Sequence, residues 1–276
     1  TKGAVVIVVA PDLLATAWLI TKLRRQKLVA DVHEDYLQLL KDRSWAKGAI
    51  GFMAGLIARI ATLIAKSAAL TSVADEHVPP HYAINRLVVR NLPDESLITS
   101  SGELSTTPTA IYIGDIRTSR GLKKILETAE IAINWKFELI GSVAAADKVY
   151  LENWQHTASA ASRVNFHGKL APKQSWQYAE GAWVGLSLLD ATPAFIDAVP
   201  SKLYEYLTCG LAVISTDLPR SSKLISDSNS GVIANTPSEI ANNLIKFEGD
   251  KNLINTLRSN GAKWAKNNLD SPAEYQ

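Results

Sequence analysis

The sequence predicts an α/β protein made of two doubly wound, Rossmann-like parallel sheets that face a cleft, and three observations carry that expectation. Apolar runs of strand length alternate with helix-length segments along the chain, the pattern of parallel strands covered by helices. The alternation stops once, where residues 91–108 read NLPDESLITSSGELSTTP, and then starts again. At 276 residues, with 47% apolar and 20% charged positions, the chain has room and carbon for two cores.

In the first part, strands are expected over 4–9, 28–32, 69–72 and 87–89. Helical segments are expected over 12–25 and 35–66, the second broken near Gly48. Residues 92–108, rich in Ser, Thr and Pro and without periodicity, read as an interdomain linker. The second part then gives strands over 110–113, 136–140, 164–166, 183–188 and 211–215. Helices are expected over 122–132, 147–156, 173–181 and 201–207. Thr236-Pro237-Ser238-Glu239 is a capping box with proline at the first helical position, opening a helix to about Phe247. A last helix is expected over 253–268. The domains are therefore 1–91, 109–260 and a C-terminal helix, 261–276, that packs back on the first domain. Two such sheets put a ligand cleft at the carboxyl ends of their strands.

Several chemistries are excluded or disfavoured. A net charge of +2 without a run of like charges argues against nucleic acid. Cys209 is the only cysteine, which excludes disulfides and cysteine metal cages and suits a reducing, cytoplasmic compartment. No G-x-G-x-x-G follows a strand, Gly168-Lys169-Leu170 lacks the rest of a P-loop, and there is no G-x-S-x-G elbow. His33-Glu34-Asp35 begins like a zinc helix but lacks the second histidine, and Pro79-Pro80 separates His77 from His81. No D-x-D triplet suggests a nucleotide-bound metal, so no metal and no cofactor are expected. Residues 48–65 are apolar except for Arg59. An ordinary buried helix is the first reading, ahead of a helix lying on a membrane surface and of a short span.

The chemistry is concentrated in residues 200–217, PSKLYEYLTCGLAVISTD. Ser201 can cap a helix whose apolar face is Leu203, Tyr204 and Leu207, and Gly210 can stop it. The free N–H groups at such a start suit a diphosphate. Glu205, one turn in, can accept two hydrogen bonds from paired ribose hydroxyls or can simply complement the helix dipole.

This segment resembles the donor-binding signature of the group 1 (family 4) retaining glycosyltransferases, which have the two-domain glycosyltransferase B fold. In that family a carboxylate pair spaced by eight lies in the donor site. Glu205 matches the carboxylate that holds the ribose. Asp197 stands where the family usually has a sugar-contacting glutamate, one methylene longer. Residues 114–121, GDIRTSRG, are similar to the loop that opens the family's second domain. The resemblance gives Gly114 to that loop and makes Arg120 the residue that grips the diphosphate. The family often has arginine directly after the first glycine. Asp115 occupies that position here, with Arg117 two residues on as a substitute or as a solvated loop residue. Gly141 ends a strand as the family's "IG" does. Residues 164–169, VNFHGK, resemble the turn whose backbone reads the nucleobase, at His167 and Gly168. Pro200, Ser201, Lys202 and Leu203 complete the implied donor-binding set. Residues 28–36, LVADVHEDY, resemble a strand end whose histidine, His33 here, faces the donor sugar, and residues 88–94, VVRNLPD, resemble the exit from the first domain.

The resemblance implies a metal-independent, retaining glycosyltransferase, with His33, Asp197 and Arg120 catalytic. Its partners would be a nucleotide sugar and a saccharide or lipid-linked acceptor, in bacterial envelope polysaccharide or glycolipid synthesis at the inner face of the membrane. It also implies a truncated first domain, because family members open with a further strand and glycine-rich loop. A nucleotide-sugar-binding protein without turnover and a nucleotide-sugar epimerase of the same architecture remain alternatives.

Overall fold

The structure, a computed structural model, describes residues 3–41, 46–90 and 92–269. Residues 1–2, 42–45, 91 and 270–276, on which parts of the expected helices and domain ends fall, lie outside the described residues. Two units form, Thr1–Asn91 with Thr192–Asp197, and Leu92–Ala191 with Ala198–Gln276.

The first unit has a four-stranded parallel sheet in chain order: β1 (Val5–Val8), β2 (Lys27–Val32), β3 (Leu70–Val73) and β4 (Arg86–Val88). The helices are α1 (Leu14–Arg24), α2 (Tyr36–Lys41) and α3 (Gly48–Lys66). Its core joins Leu28, Ala30 and Val32 of β2 to Leu14 of α1 and Ala61 and Ala65 of α3. Small side chains let α3 approach the sheet closely, and the Thr71 hydroxyl donates to Ala65 O at 2.6 Å. Arg86 holds the loop before β4 by donating to the carbonyls of Pro80, Glu76 and Val78.

The buried helix expected over 48–65 does not form as such. In α3 only Ala58, Ala61 and Ala65 are buried, whereas Ile50, Phe52, Met53, Leu56, Ile57, Ile60 and Leu63 are exposed. The helix is long and apolar enough to cross a membrane by length and composition, and it packs through these alanines with Ile64. The apolar majority of the segment predicts burial, but the residues that are fully buried are the small ones.

The second unit has a six-stranded parallel sheet in the order β10-β9-β8-β5-β6-β7. These are β5 (Thr109–Ile113), β6 (Lys136–Ile140), β7 (Val164–Phe166), β8 (Val184–Ser187), β9 (Ala212–Ser215) and β10 (Gly231–Ile233). The helices are α4 (Leu122–Ile131), α5 (Lys148–Thr157), α6 (Pro172–Gln177), α7 (Ser201–Cys209), α8 (Pro219–Ser228), α9 (Pro237–Gly249) and α10 (Lys251–Asn268). Strands β5, β6 and β9 feed two cores. Ala110 and Tyr112 of β5 face one and Ile111 faces the other, which is why the central strands read as continuous apolar runs. Trp135 and Trp183 meet edge to face at 5.6 Å in the first core. The capping box opens α9 as expected, with Thr236 and Glu239 each bonding the other's backbone N–H.

Three expectations need correction. The segment 92–108 is not a free linker. It belongs to the second unit, where Leu92 and Ile98 pack on the core and Ser101 donates its N–H to Cys209 O at 2.8 Å. Arg258 secures it by donating to Gly102 O at 2.6 Å and Gly210 O at 2.8 Å. The C-terminal helix does not begin at 261, because α10 runs unbroken from Lys251 and the Asp250 side chain accepts from Leu253 N–H. Its Ala265 is buried beside Leu207 in the second unit's core, and Trp264 stacks on Tyr204. Finally, α8 and β10 were not anticipated.

The ladder between β5 and β8 pairs only Ala110 with Val184 and Ile111 with Gly185, so the two strands part before their ends. The Tyr206 hydroxyl of α7 spans the gap: it accepts from Ile113 N–H at 3.2 Å and donates to Leu186 O at 3.3 Å. Replacing Tyr206 with Phe strands both backbone groups and is expected to cost about 1–3 kcal/mol. Urea unfolding of Tyr206→Phe beside the parent protein measures this.

Candidate functional site

In the second unit the strand order reverses between β5 and β8. The crevice beyond the carboxyl ends of two such strands is where open α/β sheets take ligands. Two loops leave it here, residues 114–121 after β5 and 188–200 after β8, and α7 starts from the second.

Glycines allow the strand ends to crowd together. A Cβ on Gly141 would stand 1.8 Å from Gly114 O. With φ +148, Gly141 donates its N–H to Gly168 O at 2.8 Å while Gly114 donates to Ile140 O at 2.9 Å. The ends of β5, β6 and β7 are thereby tied to one another. Gly121, at φ +96, passes against Leu188, whose Cβ would lie 2.5 Å from an added methyl.

The loop after β5 is organised by hydrogen bonds. Tyr112 donates its hydroxyl to Asp115 O at 2.7 Å. Asp147 accepts from the Thr118 N–H at 3.0 Å and the Thr118 hydroxyl at 2.7 Å, fixing the short turn Thr118–Arg120. Arg117, which the sequence leaves as either a substitute for the arginine absent at 115 or a solvated loop residue, is paired with Asp115, Nη2 to Oδ2 at 2.7 Å. The pair cancels its own charge. Arg120 stands half-buried beside Tyr112, whose hydroxyl is pushed up to about 12 by burial, with Arg120 working against that rise.

From the other side comes α7. Its buried face is Lys202, Leu203, Tyr206, Leu207 and Cys209. Positions 202 and 206 lie one turn apart on that face, so seating Tyr206 under the sheet takes Lys202 in with it. The Lys202 ammonium sits 3.7 Å from the centroid of the Tyr112 ring. A Cβ on Gly114 would touch it at 3.2 Å. Lys202 is only 7% exposed, and its Nζ makes no hydrogen bond. Burial pushes it down to about 7; Arg120 adds to that fall, and Glu205 and Asp115 oppose it. Glu205, half-buried one turn further on, is raised above its usual value by burial against the pull of Lys202. Pro200, extended at the N-cap, offers no side-chain cap to the first N–H groups of α7.

Gly114, Arg117, Arg120, Pro200, Ser201, Lys202, Leu203 and Glu205 thus lie on the two elements that flank this crevice. Leu203 is a core residue there, with no exposed surface. His167 and Gly168 follow β7 at the same sheet edge. The His167 side chain is taken by Glu138, Nε2 to Oε2 at 2.5 Å, and by the Tyr178 ring at 4.0 Å, which leaves the Gly168 turn as backbone. His33 and Asp197 belong to the other unit. His33 is exposed just after β2, with Nε2 3.0 Å from Asp31 Oδ2. Asp197 ends the turn 192–197, which groups with the first unit although it had been expected within the second domain. Sequence reasoning missed Tyr112 and Asp147. The signal for Tyr112 was slight, one aromatic at the end of an aliphatic strand directly before a glycine turn.

A family model described as glycosyl transferases group 1 matches residues 94–264, more than half of the chain. The chain belongs to that family. No curated protein matches the sequence. Among solved structures, sucrose-phosphate synthase from Thermosynechococcus elongatus is similar over 98% of this chain and 70% of its own, at 13% identity and TM-score 0.78. HepE of Anabaena, solved with UDP, is similar over 98% of this chain and 76% of its own, at 16% identity and TM-score 0.75. WaaG, a glycosyltransferase of lipopolysaccharide biosynthesis, is similar over 94% and 80%, at 15% identity and TM-score 0.64. At such identities the likeness is one of fold: this group 1 glycosyltransferase has the two Rossmann-like domains of the glycosyltransferase B class.

The buried lysine of this glycosyltransferase has a stability signature. Its folded value lies below the ordinary 10.5, so between about 7 and 10.5 the unfolded chain binds more protons than the folded one. The cost is full below about pH 7 and is lost as pH rises toward 10.5. Lys202→Met is therefore expected to be more stable than the parent at about pH 7, with the gain shrinking toward about pH 10. Thermal melts at the two pH values read the difference.

Proposed function

We propose that this protein transfers a sugar from a nucleotide diphosphate sugar to an acceptor hydroxyl with retention of configuration and without a metal. The observation that carries the reading is the start of α7, where Glu205 and Lys202 flank uncapped N–H groups at the strand-order switch, opposite Arg120. The family supports the reaction class, and the HepE structures with UDP and with UDP-glucose support a nucleotide sugar as donor.

In this reading Glu205 accepts from the ribose hydroxyls. Arg120, Lys202 and the N–H groups of Ser201 and Lys202 meet the diphosphate, and fixed positive charge there offsets the charge that grows on the leaving group. The Gly168 turn receives the base through its backbone, with His167 held aside. His33 and Asp197 act at the sugar, an assignment that rests on the family resemblance. The protein needs no cofactor.

The acceptor is a saccharide or a lipid-linked saccharide of the bacterial envelope, and the protein works in the cytoplasm at the inner face of the membrane. Support comes from α3, whose exposed Ile50, Phe52, Met53, Leu56, Ile57, Ile60 and Leu63 occur with Lys47, Arg59 and Lys66 and with no carboxylate along the helix. An apolar face with basic flanks suits the headgroup region of an anionic bilayer.

Incubation with UDP- and GDP-sugars should release free nucleotide. Glu205→Ala should weaken nucleotide binding by tenfold or more, as expected for about 1.4 kcal/mol or more of charge-assisted hydrogen bonding. Binding without release would leave a nucleotide-sugar-binding protein, and no binding at all would overturn the reading. For the membrane, sedimentation with vesicles containing phosphatidylglycerol should carry the protein down. Leu56→Glu with Ile60→Glu should leave it in the supernatant.

A further inference from the structure

Lys202 is placed where electrostatics disfavours a cation. It is buried, its Nζ has no hydrogen bond, and Arg120 lies close enough to repel it. It is also the second residue of α7, at the helix end that carries partial positive charge and prefers an anion. The compensation present is the face of Tyr112 at 3.7 Å, the charge of Glu205 on the next turn and, more weakly, that of Asp115. A cation over an aromatic ring gains less than the removal of an unpaired ammonium from water costs. Tertiary packing keeps the nitrogen against the Gly114 turn all the same. The one group that would satisfy the buried ammonium and the uncapped N–H groups of α7 together is an anion at this turn.

The neighbouring charges sharpen this. Asp115 and Arg117 pair with each other on the same loop, and Lys202 comes to the turn from α7. Every titratable group that sets the charge of Lys202 is accounted for: Arg120 and Asp115 from the loop after β5, Tyr112 from β5 and Glu205 from α7. Tyr112 stays neutral, being pushed up to about 12.

We propose that Lys202 is the cation that answers the donor diphosphate in this protein, and that it takes up one proton from solvent as the diphosphate binds. The proposal rests on the nucleotide-sugar reading above and adds to it which residue supplies the charge and how that charge arises. The step is a simple association. The Nζ lone pair accepts a proton from water or buffer, no other bond changes, and the ammonium then donates to phosphate oxygens. Free Lys202, held down to about 7, is mostly neutral at about pH 8. Two phosphate charges beside it restore its ordinary range, so binding and protonation are linked.

The test is calorimetry with UDP-glucose and GDP-mannose, whose phosphodiesters do not titrate near neutral pH. Binding heats at about pH 8 in two buffers of different ionisation enthalpy should show uptake approaching one proton per nucleotide. Affinity should fall up to about tenfold per pH unit above pH 7. Lys202→Arg, charged at every pH, should bind with no proton uptake and no pH slope. Lys202→Met should lose both the slope and at least tenfold in affinity, with a melting curve verifying that it is folded. If the parent protein binds either nucleotide sugar without proton uptake and with the same affinity at about pH 7 and 9, the proposal falls and the nucleotide-sugar reading stands. Persistence of the parent's pH slope in Lys202→Met would also overturn it. If neither nucleotide sugar binds at any pH, the reading of the site itself has failed. Where the lysine variants do not fold, the proton count of the parent protein decides alone.

Discussion

The Tyr206 hydroxyl, set between the Ile113 N–H and the Leu186 carbonyl, is the contact on which the second unit's site depends. Parallel strands that part at a switch point leave backbone groups without ladder partners, and buried backbone polar groups must be satisfied. Here one side chain serves a donor on β5 and an acceptor on β8. Gly185 makes it possible, because a Cβ there would stand 2.4 Å from Cγ of the Tyr206 ring. Trp176 closes the other side, edge-on at 6.0 Å. The strands are held apart at their ends yet anchored to the same helix, and the crevice follows.

The orientation of α7 follows from the same contact. With Tyr206 fixed, the helical period turns Leu203 and Leu207 into the core and Lys202 to the Gly114 turn, while Glu205 stays half-buried at the margin. The ammonium is thus carried inside by its helix rather than drawn in by a partner. Other ion pairs around the site are partly exposed, such as Asp115 with Arg117, or Lys124 with Asp190. Exposed pairs contribute little to stability; here they set the course of the loops. The electrostatic asymmetry of the site comes from Lys202 and Arg120, where desolvation makes charge matter most.

Helix α3 is held in the first unit mainly by small residues. Its alanines are buried with Ile64 packed beside them, and most of its large apolar side chains are exposed. Burial of alanine alone returns little hydrophobic free energy, so the exposed face is far more apolar than the packed one. On an ordinary surface helix the relation is reversed. That inversion, together with the basic residues along and beside the helix, is the physical basis for the proposal that this face meets a bilayer surface.

Much of this could be read from residue order. Period and punctuation identified the strand–helix alternation, the Thr236 capping box and the stop at Gly210, because each depends on neighbours in sequence. Loop 114–121, Glu205 and Arg120 entered as site candidates through the family resemblance of motifs a few residues long. What escaped depends on distant partners. Strand β10 is short, and the polar residues of α8 mask the few positions that pack. The segment 92–108 looks like a linker until Arg258 and Cys209, more than a hundred residues later, take up its carbonyls and N–H groups. The His167 side chain is held by Glu138 from the neighbouring strand, twenty-nine residues earlier. The state of Lys202 was out of reach of any local pattern. A lysine's charge is decided by what replaces its water, and here that is a tyrosine ring from one strand and a second cation from the loop that follows, which only folding brings to one place.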